Sequence, residues 1–548
     1  MVPRAGLQFY LEVRSSGLAQ LSQMPDAFAS LSKTFSSGSK QMNASEMTSF
    51  VMRNLTLLSN ARLAIAGYGA TGAAAIIELN TPDGIEKLKS DLQQLLKVDR
   101  AIQKTESATE TAVAVRGRVV LAGARSVVER FVESNAALTL DEDREYLKAR
   151  AHFAGDPFFA YMDTGSMLFP LPASSKEAKS HQQLASLLAG FGQMPYTIAM
   201  GGSMDSTNAT LRALIISDQK RQGGLFTTIF SSVQEGQPTA SAFASPDTDL
   251  FINLMIDWDK FYEGLQSVFE MFAGAVTAMG SDGQQAQIPQ GVSGMELMAG
   301  LDAALGFSIR YDLIPTLGNE LAISISGFDG FTKPSAARTA SASRKSAMQS
   351  RILLTVALRN PVKFEGYLRK LMGGPKKTPV SFAQTPYRGS IIKYRTNFAY
   401  AITGGFFIAG PNASDVKRAL DARATGVSLA ASTDFRSAVG PARPAMLQMY
   451  MSSSMSESFK EMMVAEGAMK QATKDRRSPV GVVMNTNPDG TMMQIRLPSR
   501  VALAALTSMT TNNSPVPGIN YSSGTAPSMG KRRRSPTLTT EDLRYRRP

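Results

Sequence analysis

The chain says the same thing twice, and this repetition constrains its architecture more than any other feature. Residues from about Pro3 to Leu214 are echoed in the same order from about Pro246 to Leu497. FYLEVRSSGLAQL (Phe9–Leu21) answers INLMIDWDKFYEGL (Ile252–Leu265), and RLAIAG (Arg62–Gly67) answers ELAISI (Glu320–Ile325). IIELNTPDGIEKLKSDL (Ile76–Leu92) answers VALRNPVKFEGYLRKL (Val356–Leu371), and VRGRVVLAG (Val115–Gly123) answers ITGGFFIAG (Ile402–Gly410). LTLDEDREY (Leu138–Tyr146), AYM (Ala160–Met162) and a closing segment (Pro195–Leu214) have counterparts at Val427–Phe435, Met449–Met451 and Pro479–Leu497. A duplication is an internal comparison: a residue the fold needs should recur in both copies, whereas a residue needed by chemistry need not. The expectation is two tandem units, 3–235 and 240–505.

Each copy reads as strands paired locally into hairpins, with helices between them. Gly6–Val13 alternates apolar and polar residues, which predicts a strand with Leu7, Phe9, Leu11 and Val13 on its apolar face. Gly17–Phe35 has helical spacing, and Asn80-Thr81-Pro82-Asp83 starts a helix over Gly84–Leu96. Gly117 and Gly404-Gly405 sit where tight hairpins need positive φ. Ser126 and Ser414 stand at the expected N-caps of the helices that follow. This pattern predicts an α+β fold with hairpin-built, largely antiparallel sheets and packed helices, rather than a doubly wound parallel sheet. Copy two is longer mainly through an insertion at 328–350, rich in Ser, Ala and basic residues, at a hairpin tip. Residues 512–548 lack apolar periodicity and read as a disordered basic tail.

Charge narrows the choice of partners. The formal net charge is +13, and the tail holds seven basic residues against two acids. The candidate contacts to a polyanion are Arg338, Arg344, Lys345 and Arg351 around the insertion, and Lys531, Arg532, Arg533 and Arg534 in the tail. Such Ser-rich basic stretches can meet phosphate or anionic lipid, and they also occur as solvated loops and tails. Zero Cys excludes disulfides, thiol nucleophiles, iron–sulfur clusters and cysteine-ligated zinc, and two His residues argue against a multi-His metal site.

The motifs have ordinary structural readings. Gly67-Tyr68-Gly69-Ala70-Thr71-Gly72 spells the dinucleotide fingerprint, but its counterpart in copy two is a Ser-rich loop between strands, so it is read as a hairpin loop. Met446, Met449, Met451 and Met455 face Pro157, Ala160, Met162 and Ser166 in copy one, which favours adaptable core packing over a copper site. Asp141, Glu142, Asp143 and Glu145 become Ala430, Ala431, Ser432 and Asp434, which favours a helix start over a cation site. Asp163, the lone Trp258, His152 and His181 form no catalytic constellation, and no catalytic residue, cofactor or metal is assigned. The most apolar stretch, Leu63–Leu79, is too short and too broken by glycine to read as a membrane span, and Met1-Val2-Pro3-Arg4 does not read as a signal peptide.

The order LQFYLEVRS, LIPTLGNELAISISG (Leu313–Gly327), LLTVALRNPVKFEGYLRKL, AYAITGGFFIAGPNASDVKRAL (Ala399–Leu420) and SLAASTDFRSAV (Ser428–Val439) resembles the bacterial domain of unknown function family 3352. The resemblance covers copy two best and implies an envelope or periplasmic setting, since members are often exported or anchored by an N-terminal hydrophobic segment. The cytoplasm is the alternative. It supplies no active-site residues. The expected function is therefore a non-catalytic structural or binding protein, with a protein partner or an anionic polymer or membrane surface as its expected contact. The alternatives are a polyanion-binding module, for nucleic acid or an anionic membrane, and a hydrolase-type enzyme using Asp or Glu with Ser or Tyr.

Overall fold

The computed structural model describes residues 2–4, 6–14, 16–17, 49–50, 53–68, 72–96, 111–133, 139–163, 196–205, 208–217, 232–266, 294–327, 351–373, 381–457, 478–499 and 502. In the first half lie β1 (Phe9–Val13), β2 (Arg62–Gly67), β3 (Ala73–Glu78), β4 (Thr111–Arg116), β5 (Val119–Ala124), β6 (Phe158–Asp163), β7 (Tyr196–Met204) and β8 (Asn208–Ser217). In the second lie β9 (Thr248–Met255), β10 (Leu317–Ser326), β11 (Arg351–Leu358), β12 (Ala383–Tyr387), β13 (Ser390–Arg395), β14 (Phe398–Thr403), β15 (Phe406–Gly410), β16 (Leu447–Met451), β17 (Val480–Asn487) and β18 (Gly490–Pro498).

These strands form one 18-stranded antiparallel sheet. From edge to edge the order is β4-β5-β3-β2-β1-β6-β7-β8, then β18-β17-β16-β9-β10-β11-β15-β14-β13-β12. The sequence predicts hairpin-built, largely antiparallel sheets in two tandem units. In the structure β8 pairs with β18 from Asn208↔Pro498 to Ile215↔Thr491 and joins the halves. Each half would otherwise end in a row of unpaired N–H and C=O groups, and pairing the two last strands satisfies both rows. The second half also carries the β12–β13 hairpin ahead of β14; residues 97–110, which precede β4 in the first half, lie outside the described residues.

Helices cover both faces. In the first half, helix Ile85–Leu95 packs Leu88 and Leu92 against Val120 and Ala122 of β5. On the opposite face, helix Arg125–Glu133 packs against β4 and β5, with Val127 and Phe131 in one buried cluster with Leu121, and helix Arg144–His152 sets Tyr146 edge-on against Tyr10 of β1 and Phe159 and Tyr161 of β6. In the second half, helix Pro361–Gly373 sets Phe364 against Phe407, while helix Ala413–Thr425 sets Val416 and Leu420 against Ile408. A further cluster of Met204, Ala209, Leu497 and Ala502 spans the β8–β18 seam.

Three local expectations are corrected. Helix Ala413–Thr425 is capped by Asn412, whose side chain accepts from the Asp415 N–H, and not by Ser414. The helix after β5 begins at Arg125, directly behind the strand, so Ser126 lies inside it. In β1 the fully buried side chains are Tyr10 and Glu12, while Phe9, Leu11 and Val13 are half-buried. Helix Arg144–His152 lies over the Tyr10 and Glu12 face and supplies a cation to it. The helical stretch read over Gly17–Phe35 lies almost wholly outside the described residues.

The Gly-rich motif joins strands. Gly67 ends β2 opposite Ala73 of β3, and the Tyr68 N–H donates to the Gly72 carbonyl at 2.9 Å. Gly72 thus leads into a strand rather than a phosphate-binding helix.

Candidate functional site at the root of the basic insertion

β10 ends at Ser326 and β11 begins opposite it at Arg351, so the insertion at 328–350 springs from this strand end. A cleft opens there, lined by Ser324 and Ser326 of β10, Arg351 of β11, Asp247 of the preceding link, and Asp415 and Arg418 of the first turns of helix Ala413–Thr425. The Arg351 guanidinium donates to Asp247 Oδ2 at 2.5 Å, and that of Arg418 to Asp415 Oδ1 at 2.7 Å. The second Asp415 oxygen accepts from Asn412 Nδ2 at 2.6 Å. Burial alone would push the Asp247 carboxyl up, but hydrogen bonds from Ser245 and Arg351 hold it below the usual carboxylate range. The cleft has about 30 Å³ of free space, which suits one water and is far below the roughly 300–1,000 Å³ of a ligand pocket. Each arginine is matched by its own aspartate, so an incoming anion must displace a carboxylate to gain a guanidinium.

Of the residues expected to meet a polyanion, Arg351 is in this cleft. Arg338, Arg344, Lys345, Lys531, Arg532, Arg533 and Arg534 lie outside the described residues. Sequence reading missed Arg418, Asp415 and Asp247. The Asn412-x-x-Asp415 spacing, a helix-capping signal, was the available pointer to one of them.

A second cluster lies in the first half. Glu12 of β1 is 1% exposed and accepts from Tyr10 Oη at 3.1 Å, Arg14 Nε at 3.2 Å, Arg62 at 2.8 Å and Arg150 at 3.2 Å. Burial opposes ionisation, but Arg62 and Arg150 together with the hydrogen bonds outweigh it and keep the Glu12 carboxyl below the usual range. Burial, then Glu12, push the Tyr10 phenol well up. Near neutral pH Glu12 therefore stays a carboxylate and Tyr10 a donor, and neither is poised to exchange protons.

The second half holds a different group at the same register position. Glu12 lies opposite Ala64, which lies opposite Ile76; Asn253 lies opposite Ala322, which lies opposite Thr355. Two residues before the two alanines stand Arg62 and Glu320. Asn253 Nδ2 donates to Glu320 Oε1 at 2.7 Å, and Glu320 also accepts from Thr239 Oγ1 and from the N–H groups of Thr239 and Ala240 at 2.6–2.7 Å. Carboxylate and partner have changed strands, while the cross-strand tie remains.

A third contact bridges the halves. His152 Nε2 lies 2.9 Å from Asp489 Oδ2 in the β17–β18 turn, and Lys148 Nζ lies 3.5 Å from Oδ1. The hydrogen bond from His152, joined by the charge of Lys148, holds the Asp489 carboxyl below its ordinary value against the opposing effect of burial. The acids expected at a helix start behave as such: Thr139 and Glu142 form a capping box, and Asp143 caps helix Arg144–His152. Trp258 donates its indole N–H to the Gly318 carbonyl at 2.6 Å. Of the four methionines weighed as a copper site, Met446 is buried and Met449, Met451 and Met455 are half-buried. Among the described residues no group of three or more His, Cys, Asp or Glu could hold a metal ion, and no helix is long and apolar enough to cross a membrane.

No family model and no curated protein matches this chain. Among solved structures, crystal form I of TP0453 is similar at 6% identity, covering 50% of this chain and 98% of that one, with a TM-score of 0.21. A score that low carries no argument about fold or function.

Proposed function

We propose that this is a non-catalytic structural or binding protein built from two copies of one α+β unit, joined edge to edge through their last strands. The observation that carries the reading is the exchange of Glu12–Arg62 for Asn253–Glu320 at matching register positions. Both arrangements tie the first strand of a half to the second. Neither retains the chemistry of the other, as expected when the conserved task is mechanical. The matching strand orders of the two halves support the duplication. The resemblance to domain of unknown function family 3352 supports a place in the bacterial envelope.

A second reading, contact with a polyanion, is favoured by the location of Arg351 and Arg418 in one cleft at the root of the basic insertion. Retention on heparin separates the two readings. A polyanion-binding chain is retained at low salt and released steeply as salt rises, because each phosphate or sulfate contact releases counterions. Deleting 512–548 should weaken that retention and leave a remainder due to the insertion. Absence of retention by the full chain at low salt removes the second reading.

A further inference from the structure

Among the described residues the two ends of the sheet are finished differently. At one end β14 is flanked by β13, and β13 by the edge strand β12. At the other end β4 stands in the place that β14 holds in its half, but its sole strand neighbour among the described residues is β5. Burial records the difference. The central residues of β14, Ala399, Tyr400 and Ala401, are fully buried, whereas all six residues of β4 are half-buried.

Turn geometry tells which backbone groups face outward. Arg116-Gly117-Arg118-Val119 is a two-residue hairpin, so Arg116 and Val119 form its hydrogen-bonded closing pair. Alternation then directs Ala114 and Ala112 toward β5 and presents the N–H and C=O groups of Thr111, Val113 and Val115 to the open side. The same count at the other edge has Tyr387 and Ser390 closing the turn, so Pro386 sits where an N–H would face out. Edge β12 is thus blocked by proline, a device that prevents further pairing, and β4 carries no such block.

We propose that β4 is a homodimerisation edge, occupied by β4 of a second copy in antiparallel pairing. The molecule already joins like to like in this way, since β8 and β18, the last strands of their halves, pair antiparallel. The strand is self-complementary in one favoured register. Pairing centred on Val113 sets Val113 against its own counterpart and Thr111 against Val115, engages all three outward-facing residues, and keeps equivalent faces of the two sheets together. A register shifted by one residue would oppose outward to inward groups and reverse the faces. Cross-strand pairs of β-branched residues are favourable contacts. With β12 blocked, the assembly closes after one step as a two-fold dimer and does not grow into a filament.

The test is the mass of the full chain in solution, by sedimentation and light scattering over a concentration series. The expected wild-type result is a monomer–dimer equilibrium that saturates at the dimer. Val115→Pro moves onto β4 the block that Pro386 provides on β12, and Val113→Pro removes the central outward N–H. Both positions donate away from β5, so the internal ladder is kept, and far-ultraviolet circular dichroism checks that the fold remains. Each substitution removes its N–H from both copies and should raise the dimer dissociation constant at least tenfold. Gln384→Pro, on the blocked edge, should leave it unchanged. A wild-type chain that stays monomeric to about 100 µM, a dimer indifferent to both β4 prolines, or growth without a plateau would each overturn the proposal.

Discussion

Replacing Glu12 by Gln tests the central structural reading most directly. The substitution keeps size and one acceptor oxygen but removes the charge that faces Arg14, Arg62 and Arg150. Breaking a fully buried ion pair costs about 3–5 kcal/mol, because the remaining charge is left uncompensated. Here the arginine side chains are 24%, 34% and 27% exposed, so water can recover part of their solvation. That lowers the expected cost to about 2–3 kcal/mol. For a unit of 150–250 residues each kcal/mol moves Tm by roughly 2–4 °C, so the transition of the first half should fall by about 4–12 °C in calorimetry. The pH dependence has a definite sign. The folded Glu12 carboxyl titrates below its unfolded value, so its contribution is fully present above the ordinary glutamate pKa of about 4.3 and is lost as pH falls through the lower folded value. The gap between wild type and variant should be constant from about pH 6 to 8 and shrink below about pH 4. Transplanting the second half's arrangement, Glu12→Asn with Arg62→Glu, returns a carboxylate beside Arg14 and Arg150. The double variant should therefore be more stable than the sum of the single effects by about 1 kcal/mol or more. A Glu12→Gln cost below about 0.5 kcal/mol, or strict additivity of the pair, would refute the view that this cluster ties β1 to β2.

Further expectations concern packing and topology. Gly123→Ala should cost about 2 kcal/mol or more, because a Cβ there would lie 2.3 Å from the Ala73 carbonyl oxygen and 2.6 Å from Ala74 Cα. Gly410→Ala should cost under about 1 kcal/mol, since its nearest neighbour would be Asp415 Cβ at 3.3 Å; chemical denaturation of both variants checks the contrast. The absence of Cys makes the seam easy to probe: cysteine pairs at Leu211/Ile495 and at Arg212/Gln494 face each other across β8–β18, and at least one should oxidise to an intramolecular disulfide. Failure of both pairs under mild oxidation, seen as unchanged gel mobility and two free thiols, would contradict the joined sheet.

The local pieces were legible in the sequence because local chemistry decides them. Alternating residues and the glycines at Gly117 and Gly404-Gly405 marked the hairpins β4–β5 and β14–β15, and the acids at 141–143 marked a helix start. The paired motifs also pointed to matching strand successions in the two halves. Registers were less secure. The sequence match set Phe9 against Ile252, whereas strand pairing puts Phe9 opposite Gly67 as Leu250 is opposite Ile325, because period-two patterns tolerate a slip of two residues. Tertiary structure alone decided three things. Whether two sheets or one would form depended on β8 meeting β18, partners 282 residues apart at their first residues, and the need to satisfy two open edges has no local signature. The depth of Glu12 depended on a helix folding over β1, since alternation separates two faces but cannot say which lies under a second layer. The role of Arg351 depended on Asp247 arriving from another segment, because sequence reveals the charge of a side chain and only the fold brings up the group that neutralises it.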